Sequence, residues 1–203
     1  MMRKKIIGIC GSPNSKNSTT MFALEKAIDV CRQSGLETEI IMLGDMQFGG
    51  CTDCSGCRKK LTCTLDDDFK NRILPILADP SVGGIIFASP VYFGGVTAQM
   101  KALIDRSVMF RRNGFMFSNV VAGVITVGRS RNGGQELAAM ELIKSALIQG
   151  MIIVPDAPPT SHFGGNLWSG HPDSVEHDEA GISTAVNLGK NVAQLVNKLN
   201  HQA

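Results

Sequence analysis

Continuous apolar runs alternate with segments of helical spacing along the whole chain. The apolar runs are 5–10, 37–43, 83–90, 120–128 and 151–155. The segments predicted to be helices are 19–34, 66–78, 97–105, 135–148 and 179–199, and those with a clear apolar face are 19–34, 66–78 and 179–199. Apolar strands separated by helices are typical of a parallel sheet covered on both faces. We therefore predict an α/β fold with a doubly wound, five-stranded parallel sheet in three α/β/α layers.

Right-handed crossovers allow few topologies for such a chain, and we predict the flavodoxin-like strand order 2-1-3-4-5. A length of 203 residues suits one well-packed domain. No repeat or linker divides the chain, so we expect a single domain over 1–203. The segment 156–178 is rich in Pro, Gly and polar residues and is predicted to be a long loop.

Charge and hydropathy exclude two classes of partner from the prediction. The net charge is +2, which does not suggest a nucleic acid or another polyanion. The basic pair Arg111–Arg112 is interpreted as part of a solvated loop. No run approaches the roughly 18 apolar residues that a membrane span needs, and "IIGIC" is too short for a signal sequence. We expect a cytoplasmic protein, in which clustered thiols indicate metal or redox chemistry.

The loop after strand 1, "GSPNSKNSTT" (11–20), carries hydroxyl and amide side chains into a helix. It matches neither the Walker motif nor Gly-x-Gly-x-x-Gly. Backbone N–H groups and the helix dipole favour an anion at such a terminus. The side chains that could surround a phosphate monoester there are Ser12, Asn14, Ser18 and Thr19, with Lys16 nearby. The alternative is that these residues only cap the helix and form turns.

Two further loops are expected at the same edge of the sheet. In "SPVYFGG" (89–95), Pro90 and the glycines fix a turn, and Tyr92 and Phe93 offer flat faces, unless one or both pack into the core. In "VGRSRNGGQE" (127–136), Arg129, Ser130 and Asn132 could bond the polar edge of a heterocycle. A flat, phosphorylated cofactor with polar ring edges suits all three loops, and FMN fits best.

Four of the six cysteines follow the pattern C-x2-C-x2-C-x5-C. They are Cys51, Cys54, Cys57 and Cys63, in a loop at about 47–65 inserted after strand 2. Two successive C-x2-C steps resemble the ligand pattern of bacterial [4Fe–4S] ferredoxins. Zinc is the alternative, although structural zinc sites usually combine two separate cysteine pairs. A disulfide is a third possibility. Cys10 and Cys31 are predicted to lie in the core.

Other polar residues receive weaker interpretations. Arg58, Lys59 and Lys60 follow the third cysteine, and either compensate an anionic cluster, form a docking surface for an acidic redox partner, or are simply solvated. The four histidines show no mutual metal spacing and are read as surface or loop residues. They are His162, His171, His177 and His201. His162 alone, in "HFGG", is a candidate neighbour of the flavin.

With these features together, the sequence resembles the iron–sulfur flavoproteins, a branch of the flavodoxin-like NAD(P)H:FMN reductase superfamily. The segments that carry the resemblance are "GICGSP", the cysteine loop followed by "LDDDF", "ASPVYFGGVTAQMKALIDRS", "VGRSRNGGQE" and "SHFGGNLW". "SPVYFGG" and "KALIDR" are shared by the wider superfamily. The cysteine spacing, "SRNGGQE" and "HFGG" resemble the iron–sulfur branch itself.

The resemblance implies one FMN and one [4Fe–4S] cluster per chain and assembly as a homodimer or homotetramer. The residues that would bind the FMN phosphate are Ser12, Pro13, Asn14, Lys16, Ser18 and Thr19. Those that would flank the flavin ring are Pro90, Val91, Tyr92, Phe93 and Gly94. Those that would hold the edge of the ring are Gly128, Arg129, Ser130, Asn132, Gly133 and Gly134. Relatives often have Arg where this chain has Asn14, which removes one countercharge of the phosphate and is expected to weaken FMN binding unless Lys16 or Arg129 compensates.

Three functions follow as hypotheses. The first is an electron-transfer flavoprotein that takes electrons from a ferredoxin-type donor and delivers them to a small acceptor, with O2 or H2O2 implied by the resemblance. Its redox chemistry belongs to the cofactors, so no catalytic side chain is nominated. The second is an NAD(P)H-dependent FMN or quinone reductase whose cysteines bind zinc or are vestigial. The third is a redox sensor whose cysteine loop changes the assembly state.

Overall fold

A computed structural model describes residues 4–201, with the side chain of His201 outside the described set. Residues 1–3 and 202–203 of the predicted domain also lie outside the described residues. The strands are β1 (Lys5–Cys10), β2 (Glu37–Met42), β3 (Val82–Pro90), β4 (Val121–Gly128), β5 (Ile152–Ile153) and β6 (Gly165–Trp168). All pair in parallel in the order β2-β1-β3-β4-β5, with β6 also on β4. The predicted strand order is confirmed.

Helices connect the strands. They are α1 (Thr19–Gln33), α2 (Leu74–Leu77), α3 (Ala98–Arg106), α4 (Val108–Arg112), α5 (Gln135–Ile148) and α6 (Glu179–His201). A π-helical turn, Phe69–Ile73, leads directly into α2. The short α4 was not predicted from the sequence. Within residues 4–201, no helix combines the length and apolarity needed to cross a membrane.

The core has two parts, one on each face of the sheet. On one face, α1 and α6 bury residues such as Leu24, Ile28 and Val192 against Ile6 and Val121. On the other, α3 and α5, together with the helical turns around Phe69, cover the remaining face. Continuous burial of β3 and β4 follows from this double cover, because both faces of these strands meet helices.

The prediction of a long loop over 156–178 is partly wrong, because this segment contains the strand β6. β4 pairs with β5 at Val121 and Ala122, and with β6 from Ile125 onwards, so two short strands share the position beside β4. The predicted strand 151–155 is correspondingly short. β6 fits because Gly164 has φ 146 and approaches β4 closely: a Cβ there would lie 2.2 Å from the Val124 carbonyl oxygen. The polar composition of the segment concealed this pairing.

Candidate functional site

Three loops leave the sheet at one edge because β1, β3 and β4 are adjacent and parallel. In the register of the strands, Cys10 is opposite Ala88, and Pro90 is opposite Val127. The loops after these strands therefore begin side by side, at the carboxyl edge where open α/β sheets bind ligands. This arrangement is the one on which the FMN prediction depends.

Thr97 connects the first two of these loops. Its Oγ1 donates a 2.6 Å hydrogen bond to the Gly11 carbonyl and accepts from the Met100 N–H as the N-cap of α3. Its own N–H donates to Ser89 Oγ. Thr97 is buried, so these bonds form away from water. Sequence reasoning missed this residue, whose signal is a threonine immediately before a helix.

In the loop after β1, the predicted phosphate-binding side chains already have local partners. Ser12 Oγ donates to the Asn14 carbonyl and accepts from its N–H, and Asn14 Oδ1 accepts from the Lys16 N–H at 3.0 Å. Ser18 caps α1 by accepting from the Met21 N–H. This is turn and cap chemistry. Because the first N–H groups of a helix have no intrahelical acceptor, anion binding by the backbone stays a prediction.

The loop after β3 is a tight hairpin that exposes its aromatic residues. Tyr92 and Gly95 exchange two backbone hydrogen bonds of 2.9 and 3.0 Å. Phe93 and Gly94 between them have φ 50 and 76, as a type I′ turn requires. Tyr92 is half-exposed and Phe93 is fully exposed, so neither packs into the core. Val91 is partly buried, beside Pro90 at the end of β3.

Gln135 organises the loop after β4. It is buried, its Oε1 accepts from the Gly133 N–H at 2.8 Å, and its Nε2 donates to the carbonyls of Ser130 and Arg131 at 2.7 and 3.2 Å. Gly128 makes room for this side chain, since a Cβ there would lie 2.4 Å from Nε2. Arg129, Ser130 and Asn132 are exposed on the loop that Gln135 holds.

Two contacts fix this loop relative to its neighbours. Gly134 has φ 96 and packs on Gly94. A Cβ added to Gly134 would lie 3.0 Å from the Gly94 Cα. On the other side, Trp168 Nε1 donates a 2.8 Å hydrogen bond to the Arg129 carbonyl, and the Arg131 guanidinium lies 4.7 Å from the Trp168 ring centroid. The predicted ring-flanking and edge-holding loops are therefore in contact.

The four clustered cysteines line a second feature, a depression between the cysteine loop and the helices α3 and α4. Its lining includes the four cysteines together with Arg106, Met109 and Arg112. All four are free thiols, Cys51 and Cys54 exposed, Cys63 half-buried and Cys57 buried. We name this feature, lined by Cys51, Cys54, Cys57 and Cys63, the cysteine pocket.

Each sulfur of the cysteine pocket has a hydrogen-bond neighbour. Arg106 Nη2 donates to Cys63 Sγ at 3.1 Å, and Arg112 Nη1 donates to Cys57 Sγ at 3.2 Å. Cys51 Sγ accepts from the Asp53 N–H at 3.4 Å. Cys54 Sγ lies 3.0 Å from Thr64 Oγ1, and this hydrogen bond is the main cause that lowers the pKa of the Cys54 thiol. For Cys54 the surroundings therefore favour the thiolate.

Arg106 is buried and anchors the loop at both ends. It forms a two-pronged ion pair with Asp67, with Nη2 to Oδ1 at 2.9 Å, and Nη1 also donates to the Gly49 carbonyl at 3.3 Å. Its guanidinium carbon lies 4.3 Å from the centroid of the Phe69 ring. Burial acts to lower the pKa of Arg106, but the bonds to Asp67 and Cys63 outweigh it and the pKa is raised.

The prediction that Arg111 and Arg112 belong to a solvated loop is wrong. The pair Arg111–Arg112 is in α4 rather than in a solvated loop, and Arg112 reaches Cys57, which raises the pKa of the Arg112 guanidinium. Arg111 stacks near Phe115. Asn113 Nδ2 donates to the Cys57 carbonyl at 2.9 Å. The cations beside the sulfurs thus come from distant helices.

The basic residues that follow Cys57 in sequence have a different setting. Arg58, Lys59 and Lys60 are exposed to solvent. Whether they face a redox partner or only water stays a prediction.

The donor set of the cysteine pocket fits an iron–sulfur cluster. Within residues 4–200, no three His, Cys, Asp or Glu side chains converge on a single ion, but the thiolates of a [4Fe–4S] cluster each bind a different iron. Four free thiols that face one depression suit such an anionic group, since three of the sulfurs accept from N–H donors and the Cys54 sulfur lies beside the Thr64 hydroxyl. Arg106 Nε is also buried without an acceptor among the described residues.

His162, His171 and His177 are not among the residues that line the cysteine pocket, and the side chain of His201 lies outside the described residues. His162 is half-exposed, and its N–H and Nδ1 contact the buried carboxylate of Asp156, with Nδ1 at 3.3 Å. His171 packs against Trp168, and the ring of His177 contacts the Asp173 carbonyl. His162 and His171 are in loops, and His177 is an exposed residue that ends a short 3-10 turn, which agrees with the prediction of surface or loop positions for these three. The proposed closeness of His162 to the flavin stays a prediction.

The parallel sheet and its loop edge define a flavodoxin-like fold, and solved structures support this class. The WrbA-like flavodoxin of Agrobacterium tumefaciens superposes with a TM-score of 0.65 at 18% identity, covering 96% of this chain and 97% of that protein. At this identity the likeness concerns the fold alone.

Sequence comparisons define the family. Residues 4–164 match the family model described as NADPH-dependent FMN reductase. An iron–sulfur flavoprotein of Methanocaldococcus jannaschii is 43% identical over 192 residues, covering 95% of this chain and 97% of the relative. Another, from Methanosarcina thermophila, is 37% identical over 192 residues, with 95% of each chain covered.

The chain belongs to the NADPH-dependent FMN reductase family, in its iron–sulfur flavoprotein branch. It is a flavin-dependent oxidoreductase, and FMN is the cofactor that the family supports. The resemblance read from the sequence is confirmed at this level.

Thiol reactivity should separate the core cysteines from the exposed ones. Burial raises the pKa of Cys31 to about 12 and also raises the pKa of Cys10. At pH 8 about one Cys31 in ten thousand would be thiolate. In reduced, metal-free protein we expect iodoacetamide to label Cys51 and Cys54 first and Cys10 and Cys31 only after unfolding, as read by peptide mass spectrometry. Native labelling of Cys31 as fast as Cys54 would contradict this burial.

Proposed function

We propose that this protein is an electron-transfer flavoprotein in which the cysteine pocket holds a [4Fe–4S] cluster and the loop edge holds FMN. Electrons would enter from a one-electron donor of the ferredoxin type and leave to a small acceptor such as O2 or H2O2. The observation that carries the proposal is the cysteine pocket itself, with four free thiols facing one depression beside two arginines. The names of the similar iron–sulfur flavoproteins support it.

The two cofactors, when bound, would couple one-electron carriers to two-electron chemistry. The work of the chain is to hold them. Cys51, Cys54, Cys57 and Cys63 would bind iron. Gln135 fixes the loop that would hold the flavin edge, and Thr97 fixes the loop after β1 relative to the one after β3.

The second candidate is an NAD(P)H-dependent FMN or quinone reductase with zinc or no metal at the cysteines. The family description favours it, since it names NADPH as the electron donor. It differs from the first proposal in one respect that can be measured. NADPH oxidation by this reductase would not depend on the cysteine pocket.

Cofactor content decides between these functions. We expect anaerobically purified or reconstituted protein to contain about four irons and four sulfides per FMN. We also expect Cys51→Ser to slow the reduction of bound FMN by reduced ferredoxin at least tenfold, while Cys31→Ser, outside the pocket, leaves it unchanged. The measurements are iron, sulfide and flavin analysis and stopped-flow absorbance.

Each other outcome favours a different function. FMN without iron, together with NADPH oxidation that is insensitive to Cys51→Ser, would establish the reductase and make zinc the next element to assay. Unchanged flavin reduction by ferredoxin in Cys51→Ser would exclude the proposed route. A mass of the assembly in size-exclusion chromatography that changes with oxidation state would support the redox sensor.

Gln135 offers a test of the FMN site. Gln135→Leu removes three hydrogen bonds to the loop at Ser130–Gly133, so FMN should bind about tenfold more weakly, a loss of about 1.4 kcal/mol. The matched control is Gln33→Leu, the same substitution at an exposed position at the far end of α1. The measurement is quenching of FMN fluorescence during titration of apoprotein. Equal affinity in both variants would remove this loop from the flavin site.

Assembly as a homodimer or homotetramer is part of the proposal. Its support is α5, which exposes Leu137, Met140, Leu147 and Ile148 on a single helix. Large apolar side chains gathered on a surface usually mark an interaction site. We expect multi-angle light scattering to give two or four times the chain mass and Leu147→Glu to reduce it. A monomer at micromolar concentration would contradict this.

A further inference from the structure

The cysteine pocket contains two cations that come from outside its own loop. Arg106 ends α3 and donates to Cys63 Sγ, and Arg112 ends α4 and donates to Cys57 Sγ. Arg106 is 2% exposed, and the Arg112 side chain is 24% exposed. Their positive charges are therefore screened little by water, Arg106 less than Arg112.

The two arginines differ in how their charge is balanced. Arg106 is held by Asp67 on both of its terminal nitrogens, whereas the carboxylate nearest to Arg112 is that of the exposed Asp53, at 3.8 Å. Arg106 thus supplies a directed N–H donor with a partly neutralised charge. Arg112 supplies a donor whose charge is compensated only weakly.

We propose that Arg106 and Arg112 raise the reduction potential of the cluster bound in the cysteine pocket, and that Asp67 lowers it. This inference rests on the proposed function, because it requires the cluster. It makes the arginines positioning and tuning residues that act through Cys63 and Cys57. Neither of them is an iron ligand.

The direction follows from charge. Uptake of one electron from a ferredoxin-type donor adds one negative charge to the cluster and its four thiolates. N–H donors on the sulfurs and nearby cations stabilise that added charge, so they raise the potential, and a nearby carboxylate opposes them. Removing an arginine should therefore make reduction harder, and neutralising Asp67 should make it easier.

The opposite signs are what distinguish tuning from a structural role. Damage to the fold would weaken cluster binding in every variant. Tuning predicts that Arg112→Gln and Asp67→Asn move the potential in opposite directions while both retain iron. Arg106→Gln and Asp67→Asn each break the buried Arg106–Asp67 ion pair, so either variant could fail to fold. Arg112→Gln breaks no buried ion pair and keeps the proposal testable by itself.

The experiment is an anaerobic redox titration of reconstituted protein, followed by electron paramagnetic resonance, with iron and sulfide measured on the same samples. For Arg112→Gln we expect reduction to be at least tenfold less favourable, which corresponds to about 59 mV for one electron. For Asp67→Asn we expect a shift of opposite sign. Arg112→Lys, which keeps the charge, should recover part of the loss.

Arg111→Gln is the matched control, because Arg111 neighbours Arg112 but stacks near Phe115 instead of donating to a sulfur. It should leave the potential unchanged. Equal potentials in wild type, Arg112→Gln and Asp67→Asn, with full iron content, would overturn the tuning role and leave the proposed function intact. Wild-type protein that binds no iron would instead overturn the proposed function.

Discussion

Parallel pairing of β1, β3 and β4 is the constraint on which both candidate sites depend. Because these strands are adjacent and point the same way, their carboxyl ends place three loops at one edge of the sheet. Hydrogen bonds and packing contacts between neighbouring loops then fix their positions relative to one another. Thr97 joins the loops after β1 and β3, and the contact of Gly94 with Gly134 joins those after β3 and β4.

The helix α3 connects this edge to the cysteine pocket. Its N-cap, Thr97, is bonded to Gly11, and its last residue, Arg106, is bonded to Cys63 and Asp67. Nine helical residues rise about 13 Å, so the two candidate cofactor sites lie at opposite ends of one short, rigid element. A displacement of α3 would move residues at both sites, and buried hydrogen bonds of Thr97 and Arg106 hold the two ends of the helix in place.

Several elements could be predicted from local pattern, and others could not. α5 over 135–148 and β1 over 5–10 have the predicted bounds, because Gly134 and Gly150 flank α5 and a continuous apolar run that ends at Gly11 marks β1. β6 was missed because its four residues pair with β4 through close glycine contacts and have little apolar pattern of their own. α4 was missed because it is five residues long and follows α3 almost without a break.

The sequence by itself determined the order of the strands, the four cysteines and the composition of the three loops, since each depends on residue type and spacing along the chain. Only the tertiary structure decided which distant residues act on them. Arg106 is 43 residues from Cys63, and Arg112 is 55 from Cys57. Such pairings depend on how α3 and α4 pack beside the cysteine loop, and separation along the chain carries no signal of that packing.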